Sequence, residues 1–179
     1  MRSDIRVRNM IYAVPSEIPL ASRIMSSLDR VDYWDCYMAE SKLAERSLVD
    51  IYAAAFGHLP TLFKHLLVIR SVLVKPFGIA GVSYKDLTRT IDTNRAYEVG
   101  EKIGRWTIFE KTDNELIAGT NDKHLDFRVS VFRDGRTRVA LSTCVMTHNA
   151  FGRAYLTTIL PFHRFGVMKL LTDASAVRS

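Results

Sequence analysis

The fold is decided by residues 124–174, HLDFRVSVFRDGRTRVALSTCVMTHNAFGRAYLTTILPFHRFGVMKLLTDA, in which the spacing of apolar residues changes from a period of two to that of a helix. Mostly apolar residues first alternate with polar or small ones along two segments, at Leu125, Phe127, Val129 and Val131, and at Val139, Leu141, Thr143 and Val145, where threonine is the exception. Such alternation is typical of a strand with two unlike faces. The stretch therefore predicts a β-hairpin followed by a long helix that begins at Ala150.

The remaining sequence predicts further strands and helices. Strands are predicted over residues 31–39, 105–111, 115–120, 124–133 and 137–148, and short turns join the last four. Strands connected in this way form an antiparallel meander. Helices are predicted from the N-cap residue Ser47 to Phe56, and from Pro60 to residue 73. This order predicts an α+β domain with its helices on one face of the sheet.

The length and charge of the chain narrow the function classes. A chain of 179 residues can bury a substantial core, and we expect a single domain over residues 31–179 with a lead-in segment, residues 1–30, on its surface. The net charge of +6 is spread along the chain, and Arg2, Arg6 and Arg8 supply three of these charges. No basic helix face with interleaved aromatic residues is present, so nucleic acid is not an expected partner.

The cysteine content and the hydropathy pattern predict the compartment. Cys36 and Cys144 lie in predicted strands, where buried free thiols in a reducing compartment are the simplest interpretation. A disulfide between them would require the two strands to be neighbours. No apolar run approaches the roughly 20 residues of a membrane span, and no signal peptide is recognised. We therefore expect a cytoplasmic protein without integral membrane association.

The apolar faces of the two hairpin strands coincide only when paired residue numbers have an even sum, because a slip of one residue inverts a strand. A three-residue loop of Arg133, Asp134 and Gly135, with Gly135 in the left-handed conformation, satisfies this condition. The predicted pairs are His124 with Cys144, Asp126 with Ser142, and Arg128 with Ala140. One face of the hairpin is then aliphatic, and the other is small and polar.

Three segments resemble a known family: residues 122–128 (DKHLDFR), 147–155 (THNAFGRAY) and 159–163 (ILPFH). Arg70 and residues 104–106 (GRW) also resemble its pattern, and the resemblance extends from Tyr33 to Ala174. It is a bacterial family of domains of unknown function in the helix-grip superfamily, which includes the START lipid-transfer domains, the birch-pollen allergen and the polyketide cyclases. The resemblance implies a curved antiparallel sheet wrapped around the C-terminal helix, with an internal cavity between them.

The resemblance also implies a function class. Because superfamily members hold lipids, hormones, polyketides or other apolar molecules in this cavity, it implies by fold-level analogy that the chain binds an apolar or amphipathic small molecule. The alternative is an enzyme of the cyclase, hydratase or isomerase type, with acid–base chemistry by His124, Asp126 or His163. A third hypothesis is an interaction module that contacts a membrane surface or a partner through the basic N-terminal segment.

His124, Asp126 and Arg128 share one face of a predicted strand and are the first pocket candidates. Inside a cavity, the carboxylate would orient the imidazole, and the guanidinium would hold an anionic group of a ligand. On the convex outer face, the same side chains would be solvated and would contribute little energy. Room for a ligand is left by the small residues predicted beside them: Ala140, Ser142 and Cys144.

Further pocket candidates are Trp106 and four residues in or near the long helix: His148, Arg153, Tyr155 and His163. Asn149 is a predicted cap, and a helix N-terminus attracts anions, so these groups either bind a carboxylate or phosphate or only complete the helix start. Pro161 frees the carbonyl of Thr157 and predicts a kink, and His163 would point into the cavity or toward that carbonyl. Trp106 either lines the pocket or belongs to the core.

Metals and cofactors are not predicted. The histidines show no i, i+4 pair, and no cysteine pair is available for a zinc site; they are His58, His65, His124, His148 and His163. The sequence contains no phosphate-binding glycine loop, dinucleotide fingerprint or nucleophile elbow. The sequence does not specify the oligomeric state.

Overall fold

The computed structural model of the chain describes residues 12–57 and 90–176. In this part of the chain the strands are β1 (Val14–Pro15), β2 (Tyr33–Glu40), β3 (Lys102–Ile103), β4 (Trp106–Lys111), β5 (Glu115–Asn121), β6 (Leu125–Asp134) and β7 (Arg138–Thr147). The helices are α1 (Leu48–Phe56) and α2 (Ala150–Ala176), and short 3-10 turns lie at Ile24–Ser26 and Lys42–Glu45. The strands form one antiparallel sheet in the order β1-β2-β7-β6-β5-β4-β3.

This architecture confirms the predicted α+β class and the predicted antiparallel meander, which is β4 to β7. The predicted strand over residues 31–39 corresponds to β2, which pairs with β7 and so joins the first long strand to the last. The predicted helix from Pro60 to residue 73 lies outside the described residues, as do Arg70, Arg2, Arg6 and Arg8.

The loop of the β6–β7 hairpin differs from the prediction. The strand pairing extends to Asp134 and Arg138, so the loop consists of Gly135, Arg136 and Thr137 rather than residues 133–135. An ion pair of 2.6 Å between the side chains of Asp134 and Arg138 closes the hairpin at this position. Gly135 has a φ of 72°, which is the predicted left-handed conformation.

Because the loop lies two residues later, the predicted cross-strand partners on β7 are wrong by four residues. Asp126 pairs with Met146, and Arg128 pairs with Cys144. His124 precedes β6 and accepts a backbone hydrogen bond of 2.9 Å from the N–H of His148. A shift by an even number of residues preserves the alternation, so the aliphatic and polar faces of the hairpin are composed as predicted.

The two helices pack on the aliphatic face of the sheet, which we call the inner face. The hydroxyl of Ser47 caps α1 as predicted, by accepting a hydrogen bond of 3.0 Å from the N–H of Asp50. The buried residues that join both helices to the sheet are Ile51, Tyr52 and Ala55 from α1, Val167, Leu171 and Ala174 from α2, and Tyr37, Ile108, Leu116, Val131 and Leu141 from the strands.

Residues 12–32, which we call the covering segment, begin beside α2, where the N–H of Ala13 donates a hydrogen bond of 3.0 Å to the Thr172 hydroxyl, and then cross to the opposite face of the sheet, the outer face, and cover it. Its Ile24 is fully buried and packs with Leu28 against Ile117 and Cys144 of the sheet. Its strand β1 pairs with β2 and extends the sheet. The lead-in segment therefore supplies part of the core as well as lying over the domain.

A buried carboxylate anchors the covering segment. Glu115 of β5 is only 2% exposed to solvent. Its carboxylate accepts hydrogen bonds from the Ser22 hydroxyl, from the Arg23 N–H at 2.7 Å and from the Ser130 hydroxyl at 2.6 Å. Two of these donors belong to the covering segment and one to β6. Because each carboxylate oxygen has a donor, the charge is compensated within the fold.

A second carboxylate anchors the end of the covering segment. Asp32 Oδ2 accepts hydrogen bonds from the N–H of Thr147 at 2.7 Å and from its hydroxyl at 2.6 Å, and Asp32 Oδ1 accepts one from Arg30. These contacts hold the pKa of Asp32 well below its usual range, with the Arg30 hydrogen bond as the largest cause.

Cys36 and Cys144 are buried free thiols on the outer face, as predicted. They lie on the neighbouring strands β2 and β7, but they are not joined by a disulfide. Burial raises the pKa of the Cys144 thiol to about 12, so it is protonated at neutral pH and is a poor nucleophile.

Candidate functional site

A polar cluster lies on the inner face where α2 packs against β2 and β7. It consists of Tyr33, Asp35, Thr143, His163 and Arg164, and we call it the Asp35 cluster. The Tyr33 hydroxyl donates a hydrogen bond of 2.6 Å to Asp35 Oδ2, and Arg164 Nε donates one of 3.2 Å to the Tyr33 oxygen. His163 Nε2 lies 3.2 Å from the same oxygen of Asp35. The cluster therefore joins a carboxylate, a phenol and an imidazole beneath the helix.

Three polar atoms of this cluster are buried without a hydrogen-bond partner: Asp35 Oδ1, Thr143 Oγ1 and His163 Nε2. The imidazole is within ion-pairing distance of Asp35 but does not have hydrogen-bonding geometry. Asp35 and Thr143 are paired residues of β2 and β7, so their Cβ atoms lie about 4.5–5.5 Å apart. A buried polar group without a partner costs about 1–3 kcal/mol. These atoms therefore have hydrogen-bonding capacity that the fold leaves unused.

The surroundings determine the protonation of Tyr33. Burial and the hydrogen bond to Asp35 raise the pKa of Tyr33 above its ordinary value. Its hydroxyl is therefore neutral at physiological pH and acts as the donor to Asp35 Oδ2. That leaves Oδ1 as the carboxylate oxygen without a partner, and the Asp35 side chain is only 11% exposed.

Strand alternation places the first members of this cluster. Along β2, Tyr33 and Asp35 lie on the same face as Tyr37 and Ala39, which belong to the core. Thr143 occupies the equivalent position on β7, between residues of the aliphatic set. His163 comes from α2, which remains one helix of 27 residues through Pro161. His163 therefore points toward Asp35 on the sheet.

An aromatic group lies on the same face. Trp106 of β4 contacts Tyr52 and Phe56 of α1 and Phe127 of β6, with ring centroids 6.5, 5.3 and 5.3 Å away respectively. The guanidinium of Arg105 lies 4.4 Å from the centroid of the Trp106 ring. Of these residues, Trp106, Phe56 and Phe127 are only half-buried, although they pack against the core. We call the four aromatic residues, Tyr52, Phe56, Trp106 and Phe127, the Trp106 group.

The Trp106 group and the Asp35 cluster are neighbours on the inner face. Phe127, Val145 and Tyr33 pair in one row across β6, β7 and β2. Two strand spacings correspond to about 10 Å, so Val145 alone separates the aromatic surface from the polar cluster along this row. The inner face thus presents a half-buried aromatic surface beside buried, incompletely bonded polar atoms.

The junction between β7 and α2 brings His124, Asp126, His148 and Asn149 together. His148 Nε2 lies 3.1 Å from Asp126 Oδ1, and Asn149 Nδ2 lies 3.0 Å from His124 Nδ1. Asn149 Oδ1 caps the helix by accepting a hydrogen bond of 2.9 Å from the N–H of Gly152. A Cβ at residue 152 would lie 2.1 Å from the carbonyl oxygen of His124, so this close approach requires glycine. These groups complete the start of α2, which was one of the two interpretations of the sequence.

Arg128 lies on the outer face and is 4% exposed. Its guanidinium carbon lies 3.4 Å from the centroid of the Phe109 ring, and its Nη1 donates hydrogen bonds to the carbonyls of Phe127 at 2.9 Å and Thr120 at 3.3 Å. Burial lowers the pKa of Arg128. Arg128 therefore lies on the outer face, which was one of the two predicted locations, but it is shielded from solvent rather than solvated.

The structure therefore separates the predicted pocket residues. Trp106 and His163 lie on the inner face, whereas Asp126 and Arg128 lie on the outer face. His124 and His148 lie at the junction with α2. On the helix itself, Arg153 is exposed and Tyr155 is half-buried.

The inner-face site includes three residues that the sequence did not indicate: Tyr33, Asp35 and Thr143. The available signal was an acidic residue in the alternating pattern of β2, at a position equivalent to core residues. Thr143 similarly interrupts an otherwise aliphatic set. The pairing of β2 with β7, which brings these two residues together, is a tertiary contact and leaves no local signature.

Two further properties concern the described residues. Within residues 12–57 and 90–176, the His, Cys, Asp and Glu side chains do not gather into groups of three or more that would suit a metal ion. In the same part of the chain, no helix combines the length and the hydropathy that are needed to cross a membrane.

Comparison with known proteins identifies the family. Residues 27–170 match the model of a family described as proteins of unknown function, DUF2867, and the chain belongs to this family. No curated protein and no solved structure matches the chain.

Proposed function

We propose that this DUF2867 protein binds an apolar or amphipathic small molecule on the inner face of the sheet, between the sheet and α2. The observation that carries the proposal is the Trp106 group, with its half-buried rings of Trp106, Phe56 and Phe127, beside the Asp35 cluster, about 10 Å away along one row of the sheet. Binding sites for small molecules typically combine an apolar lining with a few polar groups that fix orientation. Both components are present here on one face.

The fold is compatible with the same function. An antiparallel sheet that packs against a long C-terminal helix is the arrangement expected of a helix-grip domain. Membership of the START-like superfamily, an internal cavity, a bacterial origin and a cytoplasmic location are parts of the proposal. Apolar contact contributes about 25 cal/mol per Å², so a ligand that buries 150–200 Å² on the aromatic surface would gain about 4–5 kcal/mol before losses of entropy.

The two tryptophans of the chain provide a test, because they lie on opposite faces. Trp106 belongs to the inner face, whereas Trp34 lies on the outer face with 41% exposure. In Trp34→Phe, titration with 1-anilinonaphthalene-8-sulfonate should quench the emission of Trp106 and increase dye fluorescence. In the matched variant Trp106→Phe, the emission of Trp34 should change much less. Equal quenching of both tryptophans, or no dye binding, would contradict the proposed location.

Native mass spectrometry of freshly purified protein tests the proposal without a chosen probe. We expect an additional mass, in the range of a small organic molecule, that is lost on denaturation. A single mass equal to that of the chain, together with no dye binding, would contradict the proposal.

An enzyme of the cyclase, hydratase or isomerase type is the alternative, and one observation favours it. His163 and Asp35 place an imidazole beside a carboxylate on the inner face, which is a suitable arrangement for proton transfer. His124 and Asp126, the other predicted acid–base residues, lie at the helix junction and on the outer face. If turnover of an identified ligand persisted in both Asp35→Asn and His163→Gln, this alternative would be excluded.

A further inference from the structure

We infer that the Asp35 cluster recognises a neutral hydroxyl group, so that the ligand is an apolar molecule that carries an alcohol or a phenol. This inference rests on the proposed function, because it assigns the polar end of the ligand in the same site. Its basis is the pair of buried atoms without partners, Asp35 Oδ1 and Thr143 Oγ1, which belong to directly paired residues of β2 and β7.

The chemistry of these two atoms selects the group. An ionised carboxylate oxygen only accepts hydrogen bonds, whereas a threonine hydroxyl both donates and accepts. A ligand hydroxyl would donate its hydrogen to Asp35 Oδ1 and accept the hydrogen of the Thr143 hydroxyl. The spacing of about 4.5–5.5 Å between the Cβ atoms of paired residues allows one oxygen to reach both side chains.

Other functional groups fit less well. An ether or a ketone has no hydrogen to donate and would leave Asp35 Oδ1 without a partner. A carboxylate would be repelled by Asp35. A cationic amine would have to be desolvated on an apolar face, beside the guanidinium of Arg164, which lies 5.6 Å from the centroid of the Tyr33 ring. A neutral hydroxyl is the group that satisfies both atoms without adding a buried charge.

The position of the cluster also limits the shape of the ligand. From Asp35 and Thr143, the inner face continues through Val145 to Phe127 and the rest of the Trp106 group. A rigid apolar body of about 10 Å, attached to the hydroxyl, would lie along this row. Fused aromatic or alicyclic alcohols have this size and polarity.

The test compares three probes that share one apolar body: 2-naphthol, 2-methoxynaphthalene and naphthalene. Their affinities for the full chain are measured by isothermal titration calorimetry at pH 7. We expect 2-naphthol to bind about tenfold or more tightly than the other two, because only it supplies the donor to Asp35. In Thr143→Val and in Asp35→Asn, we expect this preference to fall to about twofold or less.

Ser142→Ala is the matched control, because Ser142 is the neighbouring residue of β7 and its hydroxyl is buried on the outer face. This variant should retain the preference for 2-naphthol. Circular dichroism verifies that each variant is folded. Because two inner-face variants are used, the preference can still be measured in one of them if the other does not fold. Equal affinities of 2-naphthol and 2-methoxynaphthalene for the wild-type protein would overturn the inference and leave the proposed function intact. Failure of all three probes to bind would overturn both.

Discussion

The two faces of the sheet each bury a carboxylate, but they treat it differently. On the outer face, both oxygens of Glu115 accept hydrogen bonds, from the covering segment and from Ser130. On the inner face, Asp35 uses Oδ2 for Tyr33, while its Oδ1 is buried without a partner. Glu115 is therefore integrated into the fold, whereas Asp35 retains capacity to form another hydrogen bond.

On the basis of this difference we assign Glu115 to stability and, in the proposed function, Asp35 to ligand binding. A fully bonded carboxylate contributes to the specificity of packing, and the removal of its charge leaves several donors without an acceptor. A carboxylate oxygen that is buried without a partner costs free energy of folding, because its lost hydration is not compensated. This contrast leads to a set of substitutions whose expected cost in stability is largest at Glu115 of the outer face, smaller at Asp35 of the inner face, and smallest at the junction of β7 and α2.

The largest effect is expected for Glu115→Gln. The NH₂ group of the amide would replace one carboxylate oxygen and would face a donor that loses its acceptor. That donor is either the N–H of Arg23 or the hydroxyls of Ser22 and Ser130. We expect a loss of about 2–4 kcal/mol in the free energy of unfolding, measured by urea denaturation. Glu110→Gln, which removes the partly exposed partner of Arg23, is the control and should cost less than about 1 kcal/mol. Similar losses in the two variants would contradict the structural role of Glu115.

A smaller and pH-dependent effect is expected for Asp32→Asn. The pKa of Asp32 is depressed in the folded protein, so its ionised form stabilises the fold above the unfolded pKa of about 4, and this contribution is lost as the pH falls further. We expect a loss of about 1–2 kcal/mol at pH 7, and the difference from wild type should shrink below about pH 4. Asp29→Asn, at an exposed position of the same segment, is the control. A difference independent of pH would contradict this assignment.

Asp35→Asn should change the stability by less than about 1 kcal/mol, despite the burial of the side chain. The amide oxygen can still accept from the Tyr33 hydroxyl, and the oxygen that the amide group replaces, Oδ1, makes no hydrogen bond that could be lost. The free energy of unfolding is measured by urea denaturation of Asp35→Asn and Glu115→Gln under the same conditions. If Asp35→Asn were as destabilising as Glu115→Gln, the contrast between the two faces would be wrong.

The smallest effect is expected for His148→Gln at the junction of β7 and α2. The His148 side chain is 35% exposed, and its contact with Asp126 is a single ion pair at the edge of the fold. Exposed ion pairs contribute about 0–1 kcal/mol, so we expect a loss near 0.5 kcal/mol or less by thermal denaturation. A loss above 2 kcal/mol would show that the junction contributes much more to stability than this geometry implies.

Much of the fold is predictable because the hairpin strands have a strict alternation. The residues from Leu125 to Val131 determine which side chains share a face, and this information is local. The register is not local in the same way: it depends on the extension of the hairpin to the ion pair between Asp134 and Arg138. The composition of each face was therefore predicted correctly, while the cross-strand partners were not.

The candidate site was less predictable, because alternation identifies two faces without showing what covers each of them. Arg128 was expected in a cavity or in solvent, but it lies beneath Phe109 on a face that the covering segment shields. Asp35 was overlooked because an acidic residue in a strand usually marks an exposed position. Only the pairing of β2 with β7 and the packing of α2 show that Asp35 is buried.

The free energy of unfolding of Thr143→Val, measured without any ligand, tests the central claim most directly. If the Thr143 hydroxyl is buried without a partner, its replacement by an isosteric methyl group should stabilise the protein by about 0.5–1 kcal/mol, since no hydrogen bond is lost and a desolvation cost disappears. A destabilisation of 1 kcal/mol or more would show that the hydroxyl is already satisfied in the folded chain. That result would contradict the proposal that the unpartnered polar atoms of the inner face bind a polar group of a ligand.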